Sequence, residues 1–146
     1  MKTNSVFLTS TEPRSYSTLG QLVDLLSINL QSKTVEHRSL IVNDIKQEMF
    51  VNTDKNILAT VLNNLLSITI ANSQNNSIHV SAKLFGNIIL VHVKNNDISL
   101  DQAITQSLKQ IQPMAEKLGG CVAVTHNKLK GTTVAFTFNN NQMVAA

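Results

Sequence analysis

The 146-residue chain predicts an α+β fold: a two-layer sandwich with helices on one face of a mixed, mainly antiparallel sheet. Three observations predict it. Apolar residues recur at helical spacing in three separate stretches, and alternate with polar ones in strand fashion between them. Turn residues join the strand-like segments mostly in pairs, as hairpins. No repeat or linker divides the chain, and its length suits one domain with a real core. The expected order is α-β-β-α-β-β-α-β-β, packed as two layers.

Residues 1–16 show no period and read as a loose arm. Thr18 and Gln21 then have capping-box spacing, and Leu19, Leu22, Val23, Leu26 and Leu30 form one apolar stripe, so a helix runs from Leu19 to Lys33. Leu40, Ile41 and Val42 read as a short strand, with Phe50–Val51 as its return. Thr53 or Asp54 caps the second helix. That helix carries Ile57, Leu58, Val61, Leu62, Leu65, Leu66 and Thr69, and ends near Asn72 in the turn cluster Ser73-Gln-Asn-Asn.

Ile78, Val80, Ala82 and Leu84 alternate with His79, Ser81 and Lys83, the period of a half-buried strand. After the Gly86-Asn87 turn, Ile88 to Val93 is apolar nearly throughout and should lie centrally. Ser99 and Gln102 make a second capping box ahead of Ile104, Leu108, Ile111, Ala115 and Leu118. Pro113 should kink or restart that helix, and Gly119-Gly120 should stop it. A last hairpin pairs Val122 and Val124 with Val134, Phe136 and Phe138. Residues 17–139 therefore form the domain, and 140–146 a tail.

Composition narrows the function classes. Only 14% of residues are charged, so Asn, Gln, Ser and Thr supply the polar surface. The net charge is +3, yet the lysines are scattered and aromatics are 4%, which argues against nucleic-acid binding. The single Cys121 cannot form an internal disulfide and points to a reducing compartment. Neither a signal-peptide core nor a membrane-length apolar run is read, so a cytoplasmic location is expected. Cys121 sits among apolar residues and reads as a core or half-buried thiol. His79 and His92 fall at strand positions facing solvent or an edge, and no His/Cys/Asp cluster has metal-ligand spacing.

Two stretches carry a family resemblance. Asp54-Lys-Asn-Ile-Leu-Ala-Thr-Val-Leu-Asn-Asn-Leu-Leu-Ser resembles the lead-in to the N box of two-component sensor histidine kinases. Leu118-Gly-Gly-Cys-Val-Ala-Val with Lys130-Gly-Thr-Thr-Val-Ala-Phe-Thr-Phe resembles their closing hairpin. From Thr18 to Phe138 the chain is similar to their ATP-binding domain, of the GHKL superfamily with its Bergerat fold. The resemblance implies two-component signalling and a protein partner there, or self-association.

The family's nucleotide-binding boxes are altered in this sequence. An N box places Asn, Asn and Lys at i, i+4 and i+7, on one helix face, where they meet Mg²⁺ and phosphates. Here that face carries Asn64, Ile68 and Ala71, with Asn72 at the following aromatic position. The family's adenine-binding Asp corresponds to Asn95, which could accept a hydrogen bond without charge assistance. Asp97 stands where a glycine should allow close backbone approach. Thr105-Gln106-Ser107-Leu108 occupies the place of the phosphate-cradling Gly-x-Gly, and few residues separate Asp97 from the third helix. That spacing implies a short or missing ATP lid.

The expectation is a degenerate ATPase domain with no catalytic residues, no metal and no cofactor. Asn64 and Asn95 mark a vestigial nucleotide pocket, with Asn64 read as bonding within the fold. The alternative is a divergent working kinase core that binds ATP and Mg²⁺, takes its phosphate contacts from a source such as Lys94 or Lys109, and phosphorylates a histidine on another chain. His37, in Val-Glu-His-Arg-Ser, lacks the helical hairpin of a phosphoacceptor.

Overall fold

The computed structural model describes residues 16–96, 102–127 and 131–141. Its elements are α1 (Leu19–Asn29), α2 (Gln31–His37), β1 (Leu40–Asn43), α3 (Lys55–Ala71), β2 (Ser77–Phe85), β3 (Ile88–Asn95), α4 (Gln102–Lys117), β4 (Cys121–Asn127) and β5 (Gly131–Asn139). The strands form one five-stranded sheet in the order β1-β2-β3-β5-β4. β1 pairs parallel with β2, and the other three pairs are antiparallel. β3 is central, as its apolar run predicts.

The sheet buries one face. Ile78 and Val80 of β2, Ile89, Val91 and Val93 of β3, and Val134, Phe136 and Phe138 of β5 all point into the core. Leu58, Val61, Leu62, Leu65 and Leu66 of α3 meet them there, each fully buried. Side chains alternate across a strand, so Ser81, His92, Ala135 and Ala123, which lie in register, share the face turned away from the helices. His92 is thus on the central strand, not at an edge.

The helix starts follow the sequence closely. The Gln21 backbone N–H donates to Thr18 Oγ1 at 3.2 Å, and Gln21 Oε1 accepts from the Thr18 N–H. Asp54, not Thr53, caps α3 by accepting from the Ile57 N–H at 3.0 Å. At the end of α4 the Gly120 N–H donates to the Ala115 carbonyl, closing the helix as Gly119-Gly120 predicts.

Several expectations are corrected. The first helix breaks at Leu30 and resumes as α2, which keeps Leu30 and Thr34 buried. Phe50–Val51 is no return strand: Phe50 makes only an isolated bridge to Thr18, and β1 takes β2 as its neighbour. α4 runs unbroken through Pro113, because Pro113 faces solvent and water can satisfy the carbonyl it leaves unpaired. Cys121 is exposed: it begins an edge strand on the helix-free face, with Sγ 3.5 Å from Thr137 Oγ1.

Two residues placed outside the domain join it. Tyr16 is buried and its hydroxyl donates to the Lys55 carbonyl at 2.7 Å. Asn140 accepts from the Asn52 N–H and donates to the Phe50 carbonyl. Ser99 of the second capping box and Asp97 lie outside the described residues. Among those described, no helix is long and apolar enough to cross a membrane.

Candidate functional site

The site foreseen from sequence lies where β3 ends beside α3. Asn95, the last residue of β3, is only 5% exposed and stands in register with Ile78 of β2 and Thr132 of β5. Gly131 makes this approach possible. Its φ is +94°, and a Cβ there would overlap the backbone of Asn95 and Asn96. A glycine without that side chain lets β5 start directly against the end of β3.

Between these strands and the helices lies a small cavity lined by Thr69, Asn72, Val93, Asn95, Ile104, Thr132 and Val134. Its volume is about 10 Å³. That is room for roughly one water molecule, whereas pockets for cofactor-sized ligands measure about 300–1,000 Å³.

The polar side chains around it are turned onto nearby protein atoms. Thr69 Oγ1 donates to the Leu65 carbonyl at 2.8 Å, and Asn72 Nδ2 donates to the Ile68 carbonyl at 2.8 Å. Thr132 Oγ1 lies 3.1 Å from His126 Nδ1. The donors of Thr69 and Asn72 are thus engaged within α3.

Of the residues singled out from sequence, and among the described residues, the structure brings Asn95 and Asn72 to this cavity. Asn64 is half-buried on α3. Ile68 is half-buried and packs against the core, while Ala71 is exposed. This face of α3 therefore carries one amide, one core-packed hydrocarbon and one exposed methyl group.

Thr105 to Leu108 lie within α4, whose Leu108 is buried, so the place of the glycine loop is regular helix. α4 begins at Gln102, leaving residues 98–101 between it and Asp97. Among the described residues no group of three or more His, Cys, Asp and Glu could hold a metal ion.

Sequence reasoning did not single out Thr69 and Thr132 as part of the site. Thr69 was read as part of the apolar helix face, and Thr132 as part of the closing hairpin. A hydroxyl among buried apolar neighbours was the available signal. At the opposite end of the sandwich lies a far larger open groove of about 750 Å³, lined by Met49, Phe50, Leu84, Phe85 and Ile89 among others. The His37 Nδ1 lies 3.2 Å from the Ser73 carbonyl, at the end of α2.

No protein-family model and no curated protein sequence matches the chain. Solved structures do. The histidine kinase AdeS of Acinetobacter baumannii superposes with a TM-score of 0.74 at 11% identity, over 86% of this chain and 66% of that one. The catalytic domain of histidine kinase ThkA, in a nucleotide-free form, gives 0.69 at 18% identity over 84% and 94%. Full-length ShkA in complex with AMPPNP gives 0.72 at 12% identity, over 90% and 33%. ThkA has also been solved in complex with the response regulator TrrA, and there this chain spans 40% of the kinase chain. The chain thus spans less than two thirds of AdeS, of ShkA and of ThkA as solved in that complex. Its fold is that of the histidine-kinase ATP-binding domain, a mixed α+β sandwich.

Proposed function

We propose that this domain has lost ATP binding and acts as a non-catalytic protein-interaction or regulatory module in two-component signalling, a pseudokinase form of the histidine-kinase ATPase domain. The observation that carries the reading is the cavity of about 10 Å³ at Asn95, where the resemblance would seat adenine. The altered α3 face supports it. A hydrocarbon side chain at Ile68 cannot coordinate a divalent cation, which seeks oxygen ligands, and Ala71 supplies no cation for phosphate. A conserved fold does not by itself imply a retained activity.

The partner is a protein of the signalling pathway or a second copy of the chain, working in the cytoplasm without a nucleotide cofactor. The response regulator bound by ThkA is one such class of partner. Calorimetric titration with Mg-ATP tests the loss. No heat of binding is expected at micromolar nucleotide, and micromolar affinity would sink the reading.

One observation favours the competing reading of a divergent, working kinase core: Asn64 is retained, half-buried on α3 with no described partner. That reading needs phosphate contacts from Lys94 or Lys109. It predicts phosphoryl transfer from labelled ATP to a histidine on another chain, and the absence of transfer counts against it.

A further inference from the structure

Six large apolar side chains stand exposed among the described residues: Ile28, Val35, Leu40, Phe50, Leu84 and Phe85. Three of them, Phe50, Leu84 and Phe85, at 64%, 56% and 58% exposure, share one groove. Met49, Ala82 and Ile89 complete its apolar wall. The groove sits where the β2–β3 hairpin turns, at the start of β3. The Asn95 cavity lies at that strand's other end, about 20 Å away at strand rise. Lys46, Glu48 and Lys83 also line the groove, and a largely apolar recess of this size is a candidate contact surface.

The path of the chain supplies an occupant. Thr18 bridges Phe50: the Leu19 N–H donates to the Met49 carbonyl and the Val51 N–H to the Ser17 carbonyl, each at 2.9 Å. The segment preceding Tyr16 therefore joins the domain alongside the groove's own Phe50. That segment reads MKTNSVFLTSTEPRS, polar except for its start and the run Val6-Phe7-Leu8. From Phe7 to Thr18 is eleven residues, enough to span up to about 36 Å. The run can thus reach any part of the groove.

We propose that Val6-Phe7-Leu8 docks in the groove formed by Met49, Phe50, Leu84, Phe85 and Ile89. A tether of this length holds the run at an effective concentration in the millimolar range. A second copy of the chain would meet the groove only at its actual concentration. The other nearby segment, residues 142–146, offers Met143 and Val144 as its large apolar side chains, and Met143 lies only three residues beyond the groove-lining Asn140. The arm presents three large apolar side chains against two, and has the greater reach. The inference stands apart from the question of nucleotide binding, since the two sites lie at opposite ends of the sheet.

Disulfide trapping tests it, in a Cys121→Ser background so that only the introduced thiols react. With Phe7→Cys and Leu84→Cys, an intramolecular disulfide is expected to form many-fold faster than with Phe7→Cys and Ala123→Cys, whose second thiol lies on the helix-free face. Equal rates, or no disulfide, overturn the proposal. Intermolecular disulfide whose yield rises with protein concentration also overturns it, by making a second copy the occupant. Hydrogen exchange gives a readout without cysteines. Removing residues 1–14 is expected to speed exchange severalfold at Phe50 and Leu84–Phe85, and unchanged exchange overturns the proposal. The same acceleration on removing residues 142–146 instead would overturn it in favour of the other segment.

Discussion

The side-chain amide of Asn72 donates to the carbonyl of Ile68 across 2.8 Å. Asn72 lines the small cavity beside Asn95, and Ile68 is the residue that stands where an N box would place its metal-binding Asn. The Asn72 side-chain amide is thus folded back onto the last turn of α3. The Thr69 hydroxyl does the same one residue after Ile68. Polar groups held by their own helix leave fewer hydrogen bonds for a ligand to claim.

Rebuilding the N box should therefore fail to rebuild the site. The double variant Ile68→Asn with Ala71→Lys restores the residue types, but not the space at Asn95. It is expected to show no micromolar Mg-ATP binding by calorimetry. It should also lose about 1–2 kcal/mol of stability in urea unfolding, because Ile68 packs against the core and an amide there gives up apolar contact.

Gly131→Ala should be among the more damaging single changes. The φ of +94° and the overlap with the Asn95 and Asn96 backbone leave no place for a methyl group unless β5 moves away from β3. A loss of roughly 2–4 kcal/mol is expected in chemical denaturation. New chemical shifts should centre on Asn95 and Thr132.

Tyr16 should make the domain sensitive to alkali. Burial pushes its phenol well above the ordinary tyrosine value, with a smaller contribution from the Asp54 carboxylate. Above roughly pH 10, where a free tyrosine ionises, the unfolded chain releases this proton while the folded chain keeps it. Stability due to Tyr16 is thus complete below that pH and falls as pH rises above it. Tyr16→Phe loses the hydrogen bond to the Lys55 carbonyl, so it should be less stable at pH 7. Its melting temperature should decline less steeply between about pH 10 and 11.

Thr18→Ala removes the hydroxyl that accepts from the Gln21 N–H. The expected cost is about 1 kcal/mol, the usual value of a helix N-cap. Thr18→Ser should recover most of it, read from urea midpoints at unchanged slope.

Much of this fold was legible because hydrophobic burial imposes a period on the sequence. α3 and the central position of β3 follow from the spacing of their apolar residues, and the α1 cap follows from Thr18 and Gln21. What escaped depends on tertiary context. Phe50–Val51 looks like a strand locally, but its only bridge is to Thr18, a contact invisible to periodicity. Pro113 suggests a kink or a restart because the sequence does not say that its side of α4 faces water. Cys121 has apolar neighbours in the chain, yet alternation puts its side chain on the open face. The place of Asn95 at the end of a buried strand is legible from the apolar run before it. Thr69 and Thr132 are not legible as part of the site, since β-branched residues serve packing as readily as hydrogen bonding. The size of the cavity was beyond reach, because volume is fixed by how α3, α4 and the sheet meet.

Backbone amide NMR spectra recorded while Mg-AMPPNP is added to millimolar concentration test the central claim most directly. The account predicts that the amides of Asn72, Asn95 and Thr132 do not shift beyond the change produced by Mg²⁺ and pyrophosphate alone. Saturable shifts at those three residues, with a midpoint in the micromolar range, would contradict it.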